Sequence, residues 1–414
     1  MIRRNITRPL LEALADRPVV LVNGARQTGK STLVQWLARD LHPARYVTLD
    51  DATVLAAARE DPPGFLQGFE GPVILDEVQR VPELFLAIKT EVDRDRSPGR
   101  FLLTGSADVL LLPRLSESLA GRMEIHTLWP LSQGEIESVQ EEFVDAVFAR
   151  SAKLVPGPRL DRADLLDRIL AGGYPDVISR RSPSRRAAWF GSYVTTILQR
   201  DVRDLANIEH LTTMPRLLAL LAARVGSLLN FSEISRSLGL PQSTLKRYVA
   251  LFETAFLFQP LPAWSGNLGM RLIKSPKVML NDSALAAHLM GLDRRRLRKQ
   301  PSLAGPLLEG FVVTELRKQV GWSRTQPRLF HFRTPAGQEV DIVLEDAAGS
   351  VVGIEVKASA SVRADDFKGL RALRDALGSR FVRGIVLYTG FESVAFGPKL
   401  SAQPITVLWR TSSS

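Results

Sequence analysis

The chain has 414 residues, 45% of them hydrophobic and 24% charged. At ~150 residues per domain this is about two to three domains with ordinary cores, which excludes a disordered chain, a collagen and a coiled-coil rod. Lys and Arg number 54 against 44 Asp and Glu, a net charge of +10; this favours anionic partners, nucleic acid before a membrane surface, although an Arg-rich genome accounts for the same surplus.

The chain opens MIRRNITRPLLEAL, basic but without an apolar h-region, and the run PVVLVNG is too short to cross a bilayer. A soluble, cytoplasmic protein with no membrane partner is expected. Cysteine is absent, which excludes disulfides, thiolate zinc sites and cysteine nucleophiles. The five histidines (His42, His126, His210, His288, His331) include no i, i+4 pair, so any metal site would be built from carboxylates.

Residues 1–135 alternate short apolar runs with helical patterns. The runs Val19–Val22, Tyr46–Leu49, Val73–Leu75, Phe101–Leu103 and Ile125–Leu128 predict an α/β domain with a mostly parallel sheet. After the first run, Gly24, Ala25, Arg26, Gln27, Thr28, Gly29, Lys30, Ser31 and Thr32 carry the phosphate-binding pattern GxxxxGK[ST], and the helical stretch STLVQWLARDL follows. Glycines let the backbone curl so that N–H groups face phosphate oxygens, and the helix N-terminus adds its positive end. ATP is the expected ligand, with Lys30 on the β/γ-phosphates and Ser31 on Mg²⁺. Val73-Ile-Leu-Asp76-Glu77 is an apolar strand ending in two acids. Asp76 is placed for Mg²⁺, and Glu77 to polarise the attacking water. The next strand ends in Thr104 and Ser106; in P-loop ATPases of the AAA+ type a polar residue here meets the γ-phosphate or the water. Capping a helix from 108 is the other reading for Ser106. Arg122, before the following strand, reads as an arginine finger acting on a neighbouring subunit's nucleotide in a homo-oligomer, or as an ion-paired surface residue.

Residues 136–220 read as mainly helical, with a loop at PGP 156–158 and a turn at GGYP 172–175. Residues 221–290 read as a winged helix: helix, Gly239 turn, second helix, and the apolar run Ala255–Leu261 as wing strand. Ser232 and Ser243 are expected N-caps. Thr244, Lys246 and Arg247 face duplex or branched DNA in this reading; subunit packing is the alternative. Residues 291–300, GLDRRRLRKQ, form a basic linker or surface helix.

Residues 303–410 return to α/β. Asp341 and Glu355 lie 14 residues apart on adjacent predicted strands, and alternation puts Lys357 on the face of Glu355. This is the PD-(D/E)XK arrangement, in which two carboxylates and the Val356 carbonyl hold Mg²⁺ while the Lys orients water. Glu309 or Glu315, on the preceding helix, supplies a helical acid; Glu309 is favoured by its apolar surroundings. A surface ion pair on an amphipathic hairpin is the alternative.

Together RRNITRPLLEAL, GARQTGKS, LDEVQ, LTGSA, ESLAGR, LSQGE, GGYPD, LQRDV, EVDIV and IEVK resemble a prokaryotic family of AAA+-like ATPases with a C-terminal domain of unknown function of PD-(D/E)XK nuclease-like fold. The resemblance covers nearly the whole chain, with no departure in the Walker residues. It implies ATP binding and hydrolysis and leaves the cellular role open. The expected architecture is α/β: an AAA+ P-loop core at 1–135, a helical region at 136–220, a winged helix at 221–290 and a restriction-endonuclease-like domain at 291–414. Two functions fit: an ATP-driven DNA-processing machine, or a nucleotide-controlled switch whose nuclease-like domain only binds.

Overall fold

The computed structural model describes residues 2–107, 119, 121–202, 211–267, 269, 271 and 274–410. The apolar runs of the first third become five parallel strands, β1 (Val19–Asn23), β2 (Arg45–Thr48), β3 (Val73–Asp76), β4 (Phe101–Gly105) and β5 (Met123–Thr127), in the order β2-β3-β4-β1-β5. Neighbouring residues of each strand point to opposite faces. Val20, Val22, Ile74 and Leu102 therefore pack with Leu10 and Leu14 of the helix Thr7–Asp16 and with Leu33 and Leu37 of the helix Lys30–Asp40. Val19, Leu21, Leu75 and Leu103 pack on the other side with Phe85, Ile88 and Val92 of the helix Leu84–Arg94. Burial on both faces explains why β1, β3 and β4 read as continuous apolar runs. Because β1, β3 and β4 run parallel, their C-terminal ends share one edge, and β4 separates the P-loop strand from the acid strand.

The chain divides into two compact units, residues 3–130 with 252–257, and residues 131–251 with 258–414. The expected helical, helix-turn-helix and nuclease-like segments thus contribute to one unit. Its helix pair forms as read, Phe231–Leu238 then Gln242–Thr254, with Gly239 left-handed at φ +68. The N-cap of the first helix is Asn230, whose side chain accepts from the Glu233 N–H, rather than Ser232. Ser243 lies inside the second helix. In place of a wing strand over Ala255–Leu261, isolated antiparallel bridges join Phe258 to Leu280 and Leu261 to Lys277. The basic run forms the helix Arg294–Lys299, capped by Asp293.

The C-terminal part runs as a helix, three strands, a helix and further strands, the order its sequence pattern predicts. After the helix Ala304–Val320 come β6 (Arg328–Arg333), β7 (Glu339–Glu345), β8 (Val351–Lys357), the helix Lys368–Leu377, β9 (Phe381–Tyr388), β10 (Val394–Ala395) and β11 (Leu400–Pro404). They form a mixed sheet in the order β10-β11-β9-β8-β7-β6. Leu370, Leu373 and Leu377 close its core against Val340, Val343, Val351 and Val386.

Candidate functional site

The P-loop connects β1 to the helix Lys30–Asp40. Two of its glycines, Gly24 at φ +142 and Gly29 at φ +94, occupy backbone conformations that side chains strain. A Cβ at Gly24 would also stand 2.3 Å from the Leu128 carbonyl oxygen. Arg4, buried behind the loop, donates to the Thr28 carbonyl at 2.8 Å and the Trp129 carbonyl at 2.6 Å. The Thr28 hydroxyl donates to the Ala25 carbonyl at 3.0 Å. Lys30 Nζ donates to the carbonyls of Gly24 and Ala25, each at 2.9 Å. Arg26 is half-buried, while Gln27, left-handed at φ +61, and Thr32 are exposed.

Opposite the loop, Ser31 Oγ donates to Asp76 Oδ1 at 3.2 Å. The hydroxyl of Thr104 donates to the same oxygen, and Tyr46 donates to Oδ2 at 2.6 Å. Burial, followed by the hydrogen bond and charge of Asp76, raises the Tyr46 pKa to about 12, so this donor keeps its proton. Ser31 and Asp76 meet at the C-terminal edge of the sheet with oxygens facing each other, a donor set that fits Mg²⁺.

Glu77 adopts the left-handed conformation (φ +61), which turns its carboxylate off the end of β3. Its N–H donates to Thr104 Oγ1 at 3.0 Å. Ser106 donates to its Oε1 at 2.9 Å, and Gln79 donates to its Oε2. Burial alone would raise its pKa, but the positive charge of Lys30, the bonds from Gln79 and Ser106, and Arg26 outweigh it and hold Glu77 below the ordinary glutamate value. Thr104 thus serves both acids, and Ser106 serves Glu77. Any capping by Ser106 of a helix from 108 lies outside the described residues. Arg122 is half-buried and pairs within its own chain, Nε to Asp93 Oδ1 at 2.7 Å. Sequence reasoning gave no site role to Arg4, which lies in the N-terminal RRNITRPLLEAL, or to Tyr46, which falls inside no motif.

In the second unit, Lys246 and Arg247 are exposed and Thr244 is half-buried, while Leu245, Tyr248 and Val249 fix the helix inward. Lys246 lies over the Phe231 ring and Arg247 over the Tyr248 ring.

The C-terminal acids come together as spaced. Asp341 on β7 accepts at Oδ2 from the Val356 N–H at 2.9 Å, and Lys357 Nζ sits 2.9 Å from Glu355 Oε1. The fold also brings Lys277, which sequence reasoning missed; the one signal was a charge opening the apolar run Val278–Leu280. Its ammonium lies 2.7 Å from Glu309 Oε1, 2.8 Å from Glu339 Oε1 and 3.1 Å from Asp341 Oδ1. Glu309 therefore joins this cluster. Glu315 belongs elsewhere, accepting from the Gln133 N–H at 2.8 Å and from Lys318 at 2.6 Å. Burial and then the charge of Asp341 push Glu309 up to about 8 and Glu355 up to about 7. The expected metal ligands Glu309, Asp341 and Glu355 do not fit a divalent ion as they stand, because Lys277 already holds a cation against two of them. With Lys277 in place, no group of three or more His, Asp or Glu side chains among the described residues is arranged to hold a metal ion.

A model of the AAA domain matches residues 16–137. Two domains of unknown function match further on, DUF8612 at 162–296 and DUF4143 at 304–408. The solved RuvB Holliday junction branch migration motor of Thermotoga maritima is 18% identical over 62% of this chain and 89% of its own, with a TM-score of 0.29, too low to bear on the fold or function. No helix among the described residues is long and apolar enough to cross a membrane. An uncharacterized protein of Haemophilus influenzae is 23% identical over 77% of this chain and 78% of its own length. Uncharacterized proteins of Mycobacterium tuberculosis and Mycobacterium bovis are each 32% identical over 99% of this chain and 85% of theirs. The chain belongs to one family with these mycobacterial proteins, and its residues 16–137 match the AAA domain.

Proposed function

We propose that the protein binds ATP with Mg²⁺ at the P-loop and hydrolyses it, and that hydrolysis is coupled to binding of duplex or branched DNA. The observation that carries the reading is Glu77: an ionised carboxylate, turned off the strand end and held by Ser106 and Gln79, on the same sheet edge as Lys30, Ser31 and Asp76. Lys30 supplies positive charge to the phosphates, its ammonium turning from the Gly24 and Ala25 carbonyls to which it now donates hydrogen bonds. Ser31 and Asp76 would hold Mg²⁺, which neutralises phosphate charge when bound. Thr104 fixes Asp76 and the Glu77 backbone together, so the ion-binding acid and the water-orienting acid keep one spacing. Glu77 takes a proton from the attacking water as its oxygen bonds to the γ-phosphorus and the bond from that phosphorus to the bridging oxygen breaks, leaving ADP and phosphate.

The DNA part rests on the net charge of +10 and on the exposed Lys246 and Arg247. The test is ATP hydrolysis by wild type, Lys30→Ala and Glu77→Gln, with and without duplex and junction DNA. Weakened ATP binding in Lys30→Ala, and retained binding with poor hydrolysis in Glu77→Gln, are expected. Equal hydrolysis in wild type and Glu77→Gln would overturn the assignment, and DNA that leaves the wild-type rate unchanged would remove the coupling. In that event the Lys277-filled acid cluster favours the second reading, a nucleotide-controlled switch whose C-terminal domain only binds.

A further inference from the structure

Three carboxylates converging at one place repel one another, and a cation among them or a proton on one of them relieves the repulsion. Here the cation is the Lys277 side chain, 2% exposed, whose ammonium reaches Glu309, Glu339 and Asp341 at 2.7, 2.8 and 3.1 Å. An ammonium has three N–H donors, and these three oxygens use them all. A divalent ion coordinating the same oxygens needs ~2.0–2.6 Å from each, and would lie against Nζ.

The position of Lys277 is fixed by its main chain. Its N–H donates to the Leu261 carbonyl at 2.9 Å and its carbonyl accepts from the Leu261 N–H at 3.0 Å. On the other side, the Leu229 N–H donates to the Pro276 carbonyl at 2.8 Å and the Val278 N–H to the Ser227 carbonyl at 2.8 Å. The residue is thus clamped between two neighbouring segments. Gly226 leaves room on the acid side: a Cβ there would stand 2.9 Å from Glu309 Oε2.

We infer that Lys277 is the resident cation of this cluster, that the wild-type chain takes up no divalent ion at Asp341, and that removing the ammonium opens a divalent-ion site on Glu309, Glu339 and Asp341. The inference concerns a different site from the ATPase reading and stands whether or not ATP is hydrolysed.

The experiment titrates Mn²⁺ into nucleotide-free full-length protein and follows free Mn²⁺ by electron paramagnetic resonance. Wild type and Asp341→Asn should take up equal Mn²⁺, so any ion bound at the P-loop cancels. Lys277→Met should take up one more Mn²⁺ per chain, and Lys277→Met with Asp341→Asn should lose it. A Mn²⁺ present in wild type and lost in Asp341→Asn overturns the inference, as does a folded Lys277→Met with no added ion. If Lys277→Met does not fold, the wild-type and Asp341→Asn comparison still decides: equal uptake supports the resident ammonium, and unequal uptake refutes it.

Discussion

At the scale of single residues, the proposed hydrolysis makes Glu77 the base, and its carboxylate is kept charged by its neighbours. Its pKa is held low in spite of burial because Lys30, Gln79 and Ser106 prefer the carboxylate. A general base works only when ionised, so hydrolysis should persist as pH falls through the ordinary glutamate range and fail only below it. Ser106→Ala removes one donor, and the acidic limb of the pH–rate profile should move to higher pH; an unmoved limb would detach Ser106 from the base. Glu77→Gln should lose roughly 10²–10⁴-fold in turnover with ATP binding intact, measured by single-turnover hydrolysis and nucleotide titration.

Arg4 makes a second prediction at this scale. It is buried and donates to two carbonyls, one of them in the P-loop. Bonds from a charged donor stabilise by about 1.5–3 kcal/mol. Arg4→Met should lower the unfolding free energy by roughly that amount and raise the KM for ATP more than it lowers kcat. A KM equal to wild type would reduce Arg4 to a packing role.

At the scale of elements, the helix Lys368–Leu377 lies so near β7 that a Cβ at Gly369 would stand 1.7 Å from the Glu339 carbonyl oxygen. Backbone cannot give way cheaply there. Gly369→Ala should cost about 1–3 kcal/mol, read by denaturant unfolding, while ATP turnover stays near wild type. Where β7 and β8 join, Glu355 is pushed up to about 7, by burial first and then by Asp341, despite Lys357. The fold then binds a proton that the unfolded chain releases near 4.5. The stability linked to this group is present below about 4.5 and is lost as pH rises through about 7. Glu355→Gln should flatten the decline in denaturation midpoint between those limits, and a decline of unchanged slope would locate the proton elsewhere.

The elements also show what was readable beforehand. Parallel strands buried on both faces left unbroken apolar runs, and the P-loop and acid strand carried local spacings. The helix, hairpin and helix of the C-terminal part were visible for the same reason. Arg4, Tyr46 and Lys277 were not, because each acts on partners far along the chain. Lys277 lies 32 residues from Glu309 and 64 from Asp341, so no local period marks their meeting. The wing strand was read from apolar character alone, and that run makes single bridges to residues 277 and 280 instead of a ladder.

At the scale of the whole molecule, two proposals concern partners. Arg122 is paired with Asp93 in its own chain, so a role on a neighbour's nucleotide requires exchanging that partner. Mixing Arg122→Ala with Lys30→Ala subunits should then restore part of the lost hydrolysis; a mixture no more active than its parts would leave Arg122 as a structural ion pair. DNA binding carried by a basic surface falls steeply with salt, because phosphates release counterions. Lys246→Ala with Arg247→Ala should weaken binding and lower the salt slope by ~0.9 for each phosphate that is no longer neutralised. An unaltered slope would put the nucleic-acid surface elsewhere.

The ammonium of Lys277 has a further consequence in terms of supply. A free ion stabilises a protein by mass action, so the effect rises and falls with its concentration in the surroundings. A cation tethered by its own side chain, and clamped on both sides by main-chain bonds, has a fixed local concentration that chelators and metal scarcity do not touch. With Lys277 in place, the acid cluster of the C-terminal domain has its counter-charge the moment the chain folds.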